Sequence, residues 1–361
     1  MPWSARCQRL QQSLVQHQVA GFLCSNPANI AYLTGFRGDA GWLLVTPENL
    51  LLYTDGRFET QAKEELKVGE ARIIAEDVLG AVAAVISERR LSPVGFESHS
   101  LSFAAYQKLS ERLTSSDLRP MENVVETPRL TKEPTELAAI QRALSLTEAA
   151  LQQVVRQLQL GVSEIEVAAE LEHTVRRLGA EKPAFETIVA FGERAALPHA
   201  RPTARELQAG DAVLIDGGAV ADGYCADLTR TFFLGEPIGP AQTDYEAVLA
   251  AQEAALEQLK PDLPCRQAHE AAREALNRRG LAEAFKHSLG HGVGIEVHEG
   301  PKLSQKSQDR LAAGMVITVE PGVYIEGQFG IRVEDMVVVT EQGPAVLTTY
   351  PKSLEEMVLA P

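Results

Sequence analysis

The sequence predicts an α/β (α+β) protein of two domains, on three observations. Its 361 residues exceed one ordinary domain, which runs to roughly 100–200 residues. Short apolar runs alternate with helix-period segments through the first third of the chain. From residue 182 the texture changes to strand-like runs divided by an Ala/Glu/Gln-rich helical block.

The elements follow in order. Residues 4–18 are polar, with Leu10, Leu14 and Val15 spaced for one helical face. Apolar runs at 21–24, 42–45, 51–54, 72–75 and 94–96 read as strands, with a helix at 78–90. Asn26–Pro27 and Arg37–Gly38–Asp39 read as turns between them. The polar stretch 122–136, with Pro128 and Pro134, reads as a linker. A helix then carries Leu137, Ile140, Leu144, Leu151, Val154 and Leu158, and Gly161 ends it. A second helix opens on the capping box Ser163-x-x-Glu166 and ends at Gly179. Further strands are expected at 187–191, 212–215, 227–233, 315–319 and 336–340, and helices at 242–259 and 267–278. Two helices before each set of strands suggest a duplicated αα-then-ββ half, without internal identity strong enough to establish it.

Charge narrows the partners. With 34 Lys+Arg against 49 Asp+Glu the chain carries −15, and such a chain is repelled by phosphate backbones and anionic lipid. The basic pairs Arg89–Arg90, Arg176–Arg177 and Arg278–Arg279 are isolated and lie near acids. No nucleic acid and no membrane partner is expected. Cys7, Cys24, Cys225 and Cys265 have no CxxC spacing, so neither a zinc ribbon nor a disulfide framework is indicated. The N-terminus has no apolar signal segment, and no run reaches the roughly 18 residues of a membrane span. A cytoplasmic protein is expected.

The chemistry concentrates in a few residues. Three of eight histidines, His287, His291 and His298, lie in one glycine-rich segment, where backbone can approach a ligand closely. Asp216 ends a strand and Asp227 follows a turn at Asp222–Gly223, so two antiparallel strands would bring them together. A lone strand-end Asp is ordinarily a cap or turn residue. A facing pair is costly unless protonated, hydrogen-bonded or held by a cation. Glu320 ends a strand before Pro321–Gly322, and Glu334 lies in Gly330–Ile331–Arg332–Val333–Glu334–Asp335. Four carboxylates with one neutral imidazole form an oxygen-rich set that suits Mn²⁺, and also Co²⁺, Zn²⁺ or Fe²⁺. It has oxygens enough to bridge two metals.

These segments resemble the metal-dependent Xaa-Pro peptidases, aminopeptidase P and prolidase, of peptidase family M24. The matching stretches are Leu197–Pro198–His199, Ile215–Asp216–Gly217–Gly218, Tyr224 to Phe232, His287 to Glu299, Thr318 to Tyr324 and Gly330 to Asp335, in the family's order. Asn29 to Phe36 and Thr54 to Phe58 resemble the family's creatinase-like N-terminal domain. The resemblance implies a creatinase-like α/β domain over residues 1–127 and a pita-bread catalytic domain, of the methionine aminopeptidase kind, over residues 128–361.

It also implies roles. Asp216, Asp227, His291, Glu320 and Glu334 would bind two divalent ions, with Asp227 and Glu334 bridging. His199, His287, His298 and Arg332 would contact substrate. His199 and His298 would assist the reaction, Glu320 would shuttle the proton to the leaving nitrogen, and Arg332 would orient the acids. The expected activity is a metallo-aminopeptidase acting between an N-terminal residue and a following proline. The alternative is a dipeptidase, which needs a cation for the free carboxylate of proline, and Lys302 is the candidate. A peptidase-shaped binding module is the alternative from another class; the complete ligand set disfavours it. Methionine aminopeptidase does not need this N-domain, and creatinase lacks this ligand set. The resemblance implies a homodimer. Asn29 to Phe36 would be core and turn, or would reach a partner's cleft. Trp42, Tyr53 and Cys225 read as packing residues.

Overall fold

The structure is a computed structural model that describes residues 2–360. Two compact units are present, one up to Arg129 and one from Leu130.

The first unit is built on a six-stranded sheet. Its strands are β1 (Gly21–Cys24), β2 (Trp42–Val45), β3 (Leu50–Asp55), β4 (Glu70–Ile74), β5 (Val94–Glu97) and β6 (Leu118–Met121). Their spatial order is β4-β3-β2-β1-β5-β6. β1, β2 and β3 pair antiparallel, and the outer pairs are parallel. Helix Val78–Glu88 packs Val82, Ala83 and Ile86 into the core with Leu23, Leu44 and Val94. Trp42 faces Tyr53 across the β2/β3 ladder. Asn29, Tyr32 and Phe36 are buried.

Two readings of proline change. Asn26–Pro27 is not a turn between strands: Asn26 caps helix Pro27–Thr34, accepting from the backbone N–H groups of Ala28 and Asn29. Stretch 122–136 holds the short helix Glu126–Arg129 and the first turn of helix Pro134–Val155, where Glu133 and Glu136 form a capping box. Both prolines stand in the first helical turn, where a missing N–H costs nothing and the fixed φ already suits the helix.

The strands of the second unit are β7 (Lys182–Pro183), β8 (Ile188–Phe191), β9 (Ala212–Gly217), β10 (Ala219–Ala221), β11 (Tyr224–Cys225), β12 (Leu228–Leu234), β13 (Gly290–Gly292), β14 (Glu299–Leu303), β15 (Val316–Val319), β16 (Gly322–Ile325), β17 (Phe329–Arg332), β18 (Asp335–Thr340), β19 (Gly343–Val346) and β20 (Val358–Leu359). Two sheets dominate, in the orders β20-β12-β9-β8 and β14-β13-β15-β18-β19. Helix Pro134–Val155 packs on Glu164–Arg177, and Ala241–Leu256 on Cys265–Asn277. Each helix pair precedes one sheet, in the αα-then-ββ order. Every residue of β9 and β12 is buried. Both faces are covered, which is why these strands read as continuous apolar runs rather than alternations. Among the described residues no helix is long and apolar enough to cross a membrane.

Candidate metal centre

Strand ends bring the acids together. β9 and β12 run antiparallel with Asp216 opposite Thr229, and Asp227 stands just before β12. Between them Asp222 and Gly223, at φ 51° and 79°, close the two-residue hairpin of β10 and β11, and both central residues of such a turn need positive φ. Glu320 follows β15, and Glu334 lies between β17 and β18. The backbone N–H of Glu334 donates to Thr229 O at 3.2 Å, and Thr229 Oγ1 donates to Glu334 Oε2 at 2.8 Å.

His291 sits on β13 between two glycines that nothing larger can replace. A Cβ at Gly290 would lie 2.0 Å from Thr318 O, and one at Gly292 1.8 Å from Gly300 O. Nδ1 of His291 lies 3.0 Å from Gly292 O. A carbonyl only accepts, so Nδ1 carries the proton and Nε2 keeps its lone pair. That Nε2 lies 3.6 Å from Asp227 Oδ2 and 3.4 Å from Glu320 Oε1. Burial, with His298 nearby, holds the His291 pKa down to about 4, so the ring is neutral.

Asp227, His291 and Glu334 each place one ligand atom within 4.8 Å of the others, a set able to hold a cation. Glu320 joins through its approach to His291. Asp216 lies near enough for its charge to act on Asp227 and Glu334, with Oδ2 accepting from Arg332 Nη2 at 2.6 Å. The donor set fits a metal on a further ground. Glu334 Oε1 and Asp216 Oδ1 are buried with no hydrogen-bond partner. Burial first, and then the neighbouring carboxylates, push Asp227 and Glu334 well above the usual carboxylate range. Burial likewise raises Glu320 to about 8. Carboxylates raised in this way are those a bound cation would return to the charged form.

The surrounding residues differ in what they leave free. Arg332 is buried and uses every guanidinium nitrogen on protein groups: Nε on Thr229 Oγ1, Nη1 on Pro198 O and Tyr324 Oη, Nη2 on Asp216. Four of its five N–H groups are thereby engaged, one of them on Asp216, which agrees with an orienting role beside the expected substrate contact. His287 also has both nitrogens engaged, Nδ1 with Ser288 O and Nε2 with Tyr324 Oη, each at 2.8 Å. Only its ring face and edge remain for a ligand. His199 and His298 are exposed. The His298 ring lies 4.3 Å from that of His291, centroid to centroid. Tyr324, which links His287 to Arg332, was missed. Its signal was its place at the end of the Thr318-to-Tyr324 segment, but a tyrosine among apolar strand residues reads as core. Cys225 is buried and donates to Ile295 O.

Residues 138–341 match metallopeptidase family M24, and residues 6–131 match the creatinase/prolidase N-terminal domain. The chain belongs to metallopeptidase family M24: it is a hydrolase that works with divalent metal. It is 33% identical to the Xaa-Pro dipeptidase of Pyrococcus furiosus over 350 residues, 97% of this chain and 99% of that protein. Among solved structures it is similar to an Xaa-Pro dipeptidase from Bacillus anthracis, with TM-score 0.94 and 35% identity over 99% of this chain and 100% of that one. An X-Pro aminopeptidase from Thermotoga maritima MSB8 matches with TM-score 0.92 and 36% identity, over 98% of this chain and 99% of that one.

Proposed function

We propose that the protein is an Xaa-Pro dipeptidase, a reading that replaces the expected aminopeptidase. Relatives described as Xaa-Pro dipeptidases support it. The observation that carries it is Lys302. This exposed lysine stands directly opposite His291 in the β13/β14 ladder, and directly opposed residues send their side chains to the same face. A cation there suits the free carboxylate of a C-terminal proline, which a longer peptide does not present.

Asp216, Asp227, His291, Glu320 and Glu334 would hold two divalent ions, with Mn²⁺ first among them. Such ions lower the pKa of a water into the neutral range and polarise a carbonyl. Glu320 would carry a proton to the proline nitrogen as it leaves. That nitrogen has no N–H to donate while it is an amide. His298 would face the carbonyl oxygen, His199 would steady the N-terminal residue, and the His287 edge would pack against the proline ring. Arg332 would hold Asp216 in place.

The division at 1–127 and 128–361 is carried as the domain proposal, supported by compact units ending at Arg129 and beginning at Leu130. Four thiols without a disulfide support a cytoplasmic setting. The resemblance alone supports the homodimer. Sedimentation as a monomer would overturn it.

Kinetics with Leu-Pro and with Leu-Pro-Gly-Gly test the central reading. A dipeptidase cleaves the first far faster. Lys302→Met should raise KM for Leu-Pro by about tenfold, the loss of one charged hydrogen bond, with kcat unchanged. Equal or faster turnover of the tetrapeptide would restore the aminopeptidase.

A further inference from the structure

A second polar network, largely buried, adjoins the carboxylates through the backbone of Glu334. Arg230, three residues after Asp227, is fully buried. Its Nε donates to Pro351 O at 2.8 Å and its Nη2 to Tyr350 O at 2.7 Å and Asp335 Oδ1 at 2.9 Å. Its Nη1 donates to Thr229 O and to the backbone oxygen of Glu334. The other oxygen of Asp335 accepts from Lys352 Nζ, which also donates to Gln252 Oε1 at 2.6 Å. Gln252, itself buried, sends Nε2 to Val319 O at 3.0 Å and to Val333 O at 3.3 Å.

Those last two carbonyls belong to the residues immediately before Glu320 and Glu334. One amide group therefore ties both glutamate-bearing strand ends. Its direction is fixed by Lys352, because an ammonium can only donate and must meet the amide oxygen. The segment that brings Lys352 into place is itself tied down. Glu148 accepts from Thr349 N, Thr349 Oγ1 and Tyr350 N, and Tyr245 Oη donates to Lys352 O at 3.0 Å. Ligand side chains hold a metal only when their own backbones are held to about half an ångström.

We propose that segment 349–352 is a clamp, with Lys352 as its positioning residue. By fixing Glu320 and Glu334 through Gln252, Asp335 and Arg230, it sets the affinity and coordination geometry of the site for a divalent cation. This rests on the reading of those two glutamates as ligands.

The test compares full-length wild type, Lys352→Met, Lys352→Arg, Glu148→Ala and Glu334→Gln. Mn²⁺ affinity is read by calorimetry, the visible spectrum with Co²⁺ bound, and kcat and KM on Leu-Pro. Lys352 is more than one-third exposed at its side chain, so Lys352→Met removes a charge without opening a cavity. Its Mn²⁺ affinity should fall by about tenfold, as is usual for residues that support ligands. Its Co²⁺ bands should shift, and kcat should fall with KM unchanged. Lys352→Arg should recover most of the affinity. Glu148→Ala should move the same readouts in the same direction by about two- to threefold, a fraction of that effect, and it decides the matter if Lys352→Met does not fold. Wild-type affinity and spectrum in the folded variants, with loss confined to thermal stability, would overturn the clamp. Wild-type affinity in Glu334→Gln would instead overturn the ligand reading beneath it.

Discussion

Glu97 of the first unit and Glu334 of the second are equally hidden, at 2% and 1% exposure, yet they sit in opposite environments. Glu97 is surrounded by donors. Its Oε1 accepts from Cys24 Sγ and Asn29 Nδ2, and its Oε2 from the backbone N–H groups of Ser25 and Asn26 and the hydroxyls of Ser25 and Ser100. Asn29 in turn accepts from Arg129 Nη1. Glu334 has Thr229 on one oxygen and nothing on the other, and burial first, then Glu320 and Asp216, push its pKa up. Burying a carboxylate costs several kcal/mol unless hydrogen bonds or an opposite charge offset it. In Glu97 the protein supplies the offset, which marks a structural anchor. In Glu334 the protein supplies only Thr229, and the cation proposed there would supply the rest.

Exchanging each carboxylate for its amide tests that contrast. Glu334→Gln should abolish Mn²⁺ uptake and lower peptidase activity by roughly 10³-fold or more, the equivalent of several kcal/mol of metal assistance. The metal-free fold should survive, because a neutral amide replaces a carboxyl whose charged form burial already disfavours. Glu97→Gln should do the reverse. It places an amide among donors, so urea denaturation should show the first unit less stable by about 2–4 kcal/mol, while calorimetric Mn²⁺ affinity stays at the wild-type value. If both substitutions act on stability alone, the two carboxylates are of one kind.

A smaller effect separates them by pH. Glu320 rises from 4.5 to about 8 on folding, with Asp227 and Glu334 displaced in the same direction. The metal-free folded state then holds protons that the unfolded chain has released. That stability is complete below the unfolded pKa and is lost as pH rises through the folded one. His287 and His291 act in the opposite sense, but their window lies between about 3 and 6.5. Metal-free Tm should therefore fall between pH 6.5 and 8.5, by about 2–4 °C per kcal/mol lost. Mn²⁺-loaded protein should stay level, because bound metal has already displaced the protons. Smallest of all, Asn26→Ala removes the cap of the helix carrying Asn29. It should cost about 1 kcal/mol in urea denaturation and leave Leu-Pro turnover unchanged.

Much of the site was legible because its residues are tied to local signals. Asp216 ends an apolar run, Asp222–Gly223 announces a hairpin, and glycines flank His291. What was not legible depends on contacts far apart in the chain. Arg332 reads as a substrate contact and an orienting group, but its partners Asp216, Tyr324 and Pro198 are visible only in the fold. Tyr324 ends a matching segment but reads as core among apolar strand residues, and Arg230 gives no sign in the sequence that it reaches Tyr350 and Pro351. Pro27 in the first unit and Pro134 in the second misled because proline breaks a helix interior but suits its first turn, and only the cap geometry tells these apart. Helix Phe103–Arg112 went unread although Ala105, Tyr106 and Leu109 share one face and pack on the core of the first unit, because only Leu109 of its residues is buried.

Calorimetric titration of Mn²⁺ into metal-free wild type and Glu334→Gln, in two buffers of different ionisation enthalpy, tests the central claim most directly. The account predicts that wild type binds two equivalents and releases protons from its raised carboxylates, and that Glu334→Gln loses this uptake. Binding by Glu334→Gln at wild-type affinity and stoichiometry, or no uptake by the wild type, would contradict it.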